Sequence, residues 1–178
     1  MSSVSVEEIL LSEEVITARV NELGKEISKD YQGKNLLLVG ILKGSFVFLA
    51  DLARSISIPL CVDFVTLSSY GDSTESSGVV EMLTEPREDI AGKHVILVED
   101  IIDTGCTISA SGIMDYMLAK GAETVRICSL LDKPSRRRVE VAIDYIGFVI
   151  PDRFAVGYGL DHKGLYRNLR FIGCISDQ

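Results

Sequence analysis

The sequence lacks tryptophan, has only two histidines (His94 and His162), and has four cysteines that never form a CxxC pair. Zinc sites need clustered Cys and His side chains, so this composition argues against one and indicates reduced thiols. No apolar run reaches the ~18 residues that a bilayer-spanning helix needs. The N-terminal MSSVSVEEILLSEE has no basic region before an apolar core. We therefore expect a cytoplasmic protein with no membrane partner.

Basic residues are outnumbered, with 18 Lys and Arg against 26 Asp and Glu, which gives a formal net charge of -8. Nucleic-acid-binding domains present a basic surface, so we expect no nucleic-acid partner. The negative net charge does not exclude an anionic small substrate, because exposed charge is screened beyond about 8 Å at physiological ionic strength. The 178 residues, 47% of them hydrophobic, suit one globular domain without repeats or linkers.

Helical and strand-like segments alternate along the chain. Strands are predicted at 36–42, 60–68, 79–83, 93–98, 124–131 and 145–150, and helices from Ser12 to Gly33, from Phe46 to Ile56 and over 107–120. This alternation predicts an α/β fold, a mostly parallel twisted sheet flanked by helices. The polar stretch 69–78 has no apolar anchor and is predicted to be a mobile loop. The Gly-rich tail 154–173 is expected to wrap a site rather than build a core.

The segment 93-KHVILVEDIIDTGCTI-108 sets Glu99, Asp100 and Asp103 at the end of a predicted buried strand. Ligands of parallel sheets bind at the carboxyl ends of the strands. The turn Asp103–Thr107 then opens a helix, where free backbone amides and threonine hydroxyls favour a phosphate. Carboxylates beside it suit sugar hydroxyls and Mg²⁺. The alternatives are a structural turn with solvated acids, or a Walker-B strand, although no GxxxxGK[ST] is present.

VILVEDIIDTGCT resembles the phosphoribosyl-pyrophosphate motif of type I phosphoribosyltransferases. ILKGSFVFLADLAR, SSYGDSTESSGVV, LLDKPSRR and IGFVIPDRFAVGYGLDHKGLYRNL, in that order, resemble the bacterial hypoxanthine-guanine branch of the family. The resemblance implies a purine salvage enzyme that converts hypoxanthine or guanine and phosphoribosyl pyrophosphate, with Mg²⁺, to IMP or GMP and pyrophosphate. It implies one domain over 1–178, a hood from about 1–11 and 150–178, a flexible loop at about 69–78, and a homodimer or homotetramer.

The resemblance also assigns roles to residues. Asp103 would be the general base at purine N7, and Glu99 and Asp100 would hold the ribose hydroxyls. The other implied contacts are Thr104, Gly105, Cys106 and Thr107 for the 5′-phosphate, with the Cys106 thiol a bystander; Lys43, Gly44 and Arg167 for pyrophosphate; Lys133, Phe154, Ala155 and Asp161 for the purine; Ser69 and Tyr70 in the loop; and Glu99, Asp100 and Asp161 for Mg²⁺. The Leu42–Lys43 peptide is often cis in such proteins.

Other interpretations of the same residues are compatible with the sequence. Without the resemblance, Lys133 would be taken as a solvated lysine beside the three arginines 136–138, and Phe154 as a core residue. One rival function is a regulator of the same fold that senses phosphoribosyl pyrophosphate and binds RNA or DNA. Another is a transferase that accepts xanthine or a pyrimidine. A 6-amino purine would meet Lys133 donor against donor, so adenine is expected to be a poor substrate.

Overall fold

The structure, a computed structural model, describes residues 6–69 and 80–175. In chain order its elements are β1 (Glu8–Leu11), α1 (Glu13–Asp30), β2 (Leu36–Leu42), α2 (Phe46–Ser55), β3 (Leu60–Ser69), β4 (Val80–Thr84), β5 (His94–Ile102), α3 (Cys106–Ser111), α4 (Ile113–Ala119), β6 (Thr124–Asp132), a 3-10 turn (Pro134–Arg136), β7 (Tyr145–Val149), β8 (Phe154–Val156) and β9 (Ile172–Ile175). Within these ranges, no helix is both long and apolar enough to cross a bilayer.

The main sheet has six strands in the order β4-β3-β2-β5-β6-β7. All neighbouring pairs are parallel except β3 and β4, which run antiparallel. The apolar runs of β2, β5 and β6 are central and buried on both faces, which explains why they lack the alternation of a half-exposed strand. The predicted fold class, a mostly parallel α/β sheet, is confirmed.

Helices cover both faces of this sheet, and each face has its own core. Alternate residues of β2 point to opposite sides, so Leu36 and Leu38 pack with α1 and α2. Leu37 and Val39 pack on the other side with Ile113 and Met117 of α4 and their neighbours. The side chain of Ser12 caps α1 as the sequence predicts, accepting the Val15 amide at 3.4 Å.

Two sequence-based predictions about secondary structure are wrong. The helix predicted over 107–120 is interrupted at Gly112, which adopts φ 61 and separates α3 from α4. A left-handed glycine ends a helix at low cost, and the apolar periodicity across the break concealed it. The strand predicted over 93–98 continues to Ile102, so Glu99 and Asp100 lie within β5 and only Asp103 follows it.

The two ends of the chain form a second, antiparallel sheet in the order β1-β9-β8. The tail that was expected only to wrap a site also contributes to the core, where Tyr158, Leu160 and Ile172 are buried. These apolar residues are spaced irregularly because the tail is built of turns, and their burial was therefore not visible in any strand or helix periodicity.

Candidate active site

The candidate site lies along the carboxyl edge of the parallel strands. Leu42 of β2 is level with Thr66 of β3, and Gly40 with Val98 of β5. Ile102 at the end of β5 is level with Asp132 at the end of β6. The loops that follow β2, β5 and β6 therefore meet at one edge, and they bring together the predicted phosphate, base and purine residues that sequence alone could only assign to separate segments.

Glu99 and Asp100 are consecutive residues near the end of β5, and their carboxyl groups interact with each other. Glu99 lines a cavity of about 190 Å³ together with Asp103, Thr104, Gly105 and Thr107. The Asp100 carboxylate lies directly against Gly44, in the loop that follows β2. Burial, and then the neighbouring Asp100, raise the pKa of Glu99 well above its ordinary value.

Asp100 is partly buried, and burial raises the pKa of its carboxyl. Backbone hydrogen bonds and the positive charge of Arg167 act in the opposite direction. Hydroxyl donors or a cation bound beside these two adjacent carboxyls would favour their ionised forms and lower their pKa values.

Asp103 lines one cavity and pairs with Lys133, which lines a second. It lines the first cavity with Thr104 and Gly105, and its Oδ2 lies 4.0 Å from the Nζ of Lys133. Lys133 lines the second cavity, of about 290 Å³, with Phe154 and Asp152. The Lys133 side chain is only 6% exposed, which excludes the alternative of a solvated lysine. A group bound in either cavity is therefore within reach of the Asp103 carboxylate.

The carboxylate of Asp103 has an unsatisfied acceptor. Its Oδ1 is buried and accepts no hydrogen bond within residues 6–69 and 80–175. The Nε of Arg136 lies 3.4 Å away as an ion pair, without hydrogen-bond geometry. Buried acceptors without partners are rare in native proteins and call for an explanation. A ligand that brings an N–H to Oδ1 would supply one.

Sequence reasoning missed Arg137, which builds the turn that carries Asp103. Its Nε donates to the carbonyl of Asp103 at 3.2 Å, and its Nη2 donates to the carbonyl of Ile102 at 3.4 Å and to the carboxylate of Asp132. The side chain is 12% exposed, whereas the neighbouring Arg138 is exposed. Three consecutive arginines look alike in sequence, so nothing there marks the middle one as buried.

The position of Gly105 requires glycine for a further reason that the sequence did not reveal. The amides of Arg138 and Val139 donate to the carbonyl of Thr104 at 2.9 and 3.1 Å, which lays that loop over the turn. A Cβ on Gly105 would collide with the carbonyl of Val139, and its φ is 79. Cys106 follows at the start of α3, where its amide donates to the Thr104 hydroxyl at 3.3 Å.

The predicted pyrophosphate loop follows β2. The Leu42–Lys43 peptide is cis, and the Lys43 side chain is exposed. Ser45 closes the loop, because its buried hydroxyl donates to the carbonyl of Ile41 at 2.6 Å. A Cβ on Gly44 would collide with the Asp100 carboxylate, so the loop backbone lies immediately beside the acids of β5.

Arg167 and Asp161 bind each other in the tail. Arg167 Nη2 pairs with Asp161 Oδ1 at 2.6 Å, and its Nη1 donates to the carbonyl of Gly159 at 2.6 Å. The amide of Gly164 donates to the other Asp161 oxygen at 2.7 Å. The two residues that the resemblance assigned to pyrophosphate and metal therefore form one unit beside Asp100.

Phe154 and Ala155 begin the tail on β8. Phe154 is 38% exposed, unlike a core residue, and His162 packs on its ring edge-to-face with centroids 5.4 Å apart. The main chain of Ala155 is level with Cys174 of β9, and its side chain is buried. Of the loop residues predicted to contact ligand, Ser69 ends β3, whereas Tyr70 and the remainder of the predicted 69–78 loop lie outside the described residues.

The carboxylates suit a magnesium ion only in part. Within residues 6–69 and 80–175, no cluster of three or more His, Cys, Asp or Glu side chains could hold a metal by itself. Glu99, Asp100 and Asp161 nevertheless supply hard oxygen donors, and burial raises the pKa values of the first two. Mg²⁺ commonly takes one or two carboxylates and completes its shell with water and substrate phosphates. The residues fit an ion that arrives with a phosphorylated substrate.

Comparison with known proteins identifies the class to which this fold and site belong. Residues 6–163 match the family described as the phosphoribosyl transferase domain. The chain therefore belongs to the phosphoribosyl transferase domain family, and the predicted membership is confirmed.

Particular relatives narrow the comparison. The chain is 47% identical over 169 residues to the hypoxanthine phosphoribosyltransferase of Haemophilus influenzae, covering 93% of each. It is 46% identical over 173 residues to the hypoxanthine-guanine phosphoribosyltransferase of Streptococcus pneumoniae, covering 97% of this chain and 95% of that protein. A solved hypoxanthine phosphoribosyltransferase from Staphylococcus aureus superposes with a TM-score of 0.91 at 44% identity, over 99% of this chain and 96% of that one.

Proposed function

We propose that the protein transfers the phosphoribosyl group of phosphoribosyl pyrophosphate to hypoxanthine or guanine, giving IMP or GMP and pyrophosphate. The observation that carries the proposal is the unsatisfied Oδ1 of Asp103 between two cavities, one beside Lys133 and Phe154 and the other at the Thr104–Thr107 turn. A purine in the first cavity and a ribose phosphate in the second would place their new bond next to this carboxylate.

Lys133 and Phe154 would define the purine subsite. Lys133 donates to the 6-oxo group, the exposed face of Phe154 stacks on the ring, and the backbone at Ala155 and Asp161 contacts the base edge. The pair of Lys133 with Asp103 at 4.0 Å and with Asp152 at 3.7 Å keeps the ammonium in the cavity before the base arrives. A site built around a hydrogen bond rejects a substrate that cannot make it, which disfavours adenine.

Asp103 would act as the general base. The purine nitrogen attacks C1′ as the bond from C1′ to the pyrophosphate oxygen breaks, and the proton at N7 passes to Oδ1 of Asp103. General-base catalysis is typically worth about 10²–10⁴-fold in rate. Arg137 donates hydrogen bonds to the carbonyls of Ile102 and Asp103 and so holds the turn that carries this carboxylate. Little reorganisation of the carboxylate is therefore needed in the transition state.

The ribose phosphate would occupy the other cavity. Thr104, Gly105, Cys106 and Thr107 would surround the 5′-phosphate, and Glu99 and Asp100 would accept hydrogen bonds from the ribose hydroxyls. Lys43, Gly44 and Arg167 would contact the pyrophosphate. Members of this family generally use Mg²⁺ with phosphoribosyl pyrophosphate, and the ion would neutralise phosphate charge beside Glu99, Asp100 and Asp161.

We propose that the sheet β1-β9-β8 is the hood over the site, that the 69–78 loop closes to exclude water from a reactive ribosyl cation, and that chains form a homodimer or homotetramer. The exposed apolar side chains of Val62 and Phe64 on β3 support association. Four free cysteines support a reducing, cytoplasmic environment.

The decisive test is nucleotide formation from hypoxanthine and from guanine with phosphoribosyl pyrophosphate and Mg²⁺. We expect both bases to be converted, and the Asp103→Ala variant to lose turnover far more than affinity for phosphoribosyl pyrophosphate. Equal losses in both would make Asp103 a binding residue. Absence of turnover combined with salt-sensitive RNA binding would favour the rival regulatory function, which the net charge of -8 opposes.

A further inference from the structure

The tail lies on the pyrophosphate loop without any side chain between them. A Cβ on Gly159 would collide with the carbonyl of Gly44, just as a Cβ on Gly44 would collide with Asp100. Asp100, Gly44 and Gly159 thus form three layers in direct contact. Gly159 also anchors Arg167, because its amide donates to the Arg167 carbonyl at 3.0 Å and its carbonyl accepts from Nη1 at 2.6 Å.

Tyr158 connects the tail to helix α2 through a side-chain hydrogen bond. Its hydroxyl donates to Oδ2 of Asp51 at 2.5 Å, and the side chain is 6% exposed. Asp51 belongs to α2, which begins at Phe46 directly after the Lys43–Ser45 loop. Burial, followed by the hydrogen bond to Asp51, raises the pKa of Tyr158, so the hydroxyl keeps its proton and remains a donor. Tyr158 also adopts φ 49, which is uncommon for a residue with a side chain.

We infer that Tyr158 and Asp51 are a positioning pair for the pyrophosphate half of the site. Their hydrogen bond links the tail that carries Asp161 and Arg167 to the helix that follows Lys43 and Gly44. The two groups of predicted pyrophosphate contacts come from segments more than a hundred residues apart, and the hydroxyl of Tyr158 sets their spacing from outside the site. This inference rests on the proposed function.

Removing the hydroxyl should therefore affect one substrate and not the other. For Tyr158→Phe we expect the KM for phosphoribosyl pyrophosphate to rise about 10–100-fold, in the range for loss of a hydrogen bond to a charged group. The KM for hypoxanthine should change by less than about twofold, since Lys133 follows β6 and Phe154 is held by the pairing of β8 with β9.

The chain offers a matched control. Tyr145 is equally buried and donates to Oδ2 of Asp30 at 2.7 Å, but at the opposite edge of the sheet. Tyr145→Phe should leave both KM values unchanged even where it lowers the unfolding temperature as much as Tyr158→Phe does. A variant that only loosens the fold would not separate the two substrates.

Asp51 provides the second half of the test. Asp51→Asn keeps an oxygen acceptor and should retain most of the affinity for phosphoribosyl pyrophosphate, whereas Asp51→Ala should match Tyr158→Phe. Combining Tyr158→Phe with Asp51→Ala should add no further loss. Additive losses, equal changes in both KM values, or the same shift in Tyr145→Phe would overturn the inference. If Tyr158→Phe does not fold, the comparison of Asp51→Asn with Asp51→Ala tests the inference in its place.

The failure of this inference is distinct from that of the proposed function. Wild-type protein that makes nucleotide, together with a Tyr158→Phe variant of unchanged KM for phosphoribosyl pyrophosphate, rejects the positioning pair alone. Wild-type protein that converts neither hypoxanthine nor guanine rejects the function itself.

Discussion

Arg137 should be essential to the position of Asp103, and the structure sets the size of the effect. Its guanidinium joins the carbonyls of Ile102 and Asp103 to the carboxylate of Asp132, and the two charged side chains are 12% and 11% exposed. Replacement by alanine leaves Asp132 buried without its cation. Removing one partner of a buried ion pair typically costs about 3–5 kcal/mol.

That loss is measurable by thermal unfolding. A domain of this size shifts by roughly 2–4 °C per kcal/mol, so Arg137→Ala should lower the unfolding midpoint by about 6–20 °C. Arg137→Lys keeps the charge but loses the planar fork, and should cost about 1–2 kcal/mol. Its kcat should fall about 10–100-fold, because a misplacement of about 1 Å at a reacting group costs on the order of 10²-fold.

Arg138 is the matched control, since it is adjacent but exposed. Arg138→Ala should change stability by no more than about 0.5 kcal/mol and leave kcat intact. The reasoning fails if Arg137→Ala unfolds within about 2 °C of wild type, or if Arg137→Lys turns over normally; either result would mean that the turn holds Asp103 without the clamp.

Three further predictions concern the loop, the buried acid and an exposed acid. Gly44→Ala must displace Asp100, and kcat/KM for phosphoribosyl pyrophosphate should fall about 10²-fold in steady-state assays with little change in unfolding temperature; an unaltered value would show that the loop yields freely. The raised pKa of Glu99 means that the folded state holds a proton that the unfolded state releases above its ordinary pKa of 4.5, so stability falls as pH rises beyond that value. Glu99→Gln, measured in EDTA, should then be more stable than wild type at pH 8 and not at pH 4, and a constant difference would contradict this. The pKa of Asp63 is lowered, because three backbone amides outweigh its desolvation, so its contribution is present above pH 3.8 and lost below; Asp63→Asn should lose up to about 2 kcal/mol at neutral pH in urea titrations, and an equal loss at pH 2 would refute it.

Local patterns in the sequence predict most of the sheet and the chemistry at its edge. The runs of β2, β5 and β6 are apolar because both faces are buried, and the acids of β5 stand out against that background. The same dependence on local patterns explains why the helix over 107–120 and the role of the tail were predicted wrongly. Gly112 breaks a helix whose apolar spacing continues beyond it, and Tyr158 and Leu160 enter the core from turns that have no periodicity.

Long-range hydrogen bonds were beyond sequence reasoning. The Arg137 side chain is largely buried because its guanidinium donates hydrogen bonds to carbonyls more than thirty residues earlier. No residue next to Arg137 in the sequence indicates these bonds. The bond from Tyr158 to Asp51 spans 107 residues in the same way. Residues that touch the proposed ligands could be assigned by resemblance, whereas those that hold them in place became visible only in three dimensions.

The specificity ratio between hypoxanthine and adenine tests the central claim most directly. Each base would be assayed with phosphoribosyl pyrophosphate and Mg²⁺, and kcat/KM compared. Lys133 offers only donors, so the ratio should favour hypoxanthine by about 10⁴ or more. A ratio near one, or conversion of adenine alone, would contradict the assignment of Lys133 and with it the 6-oxopurine site between Phe154 and Asp103.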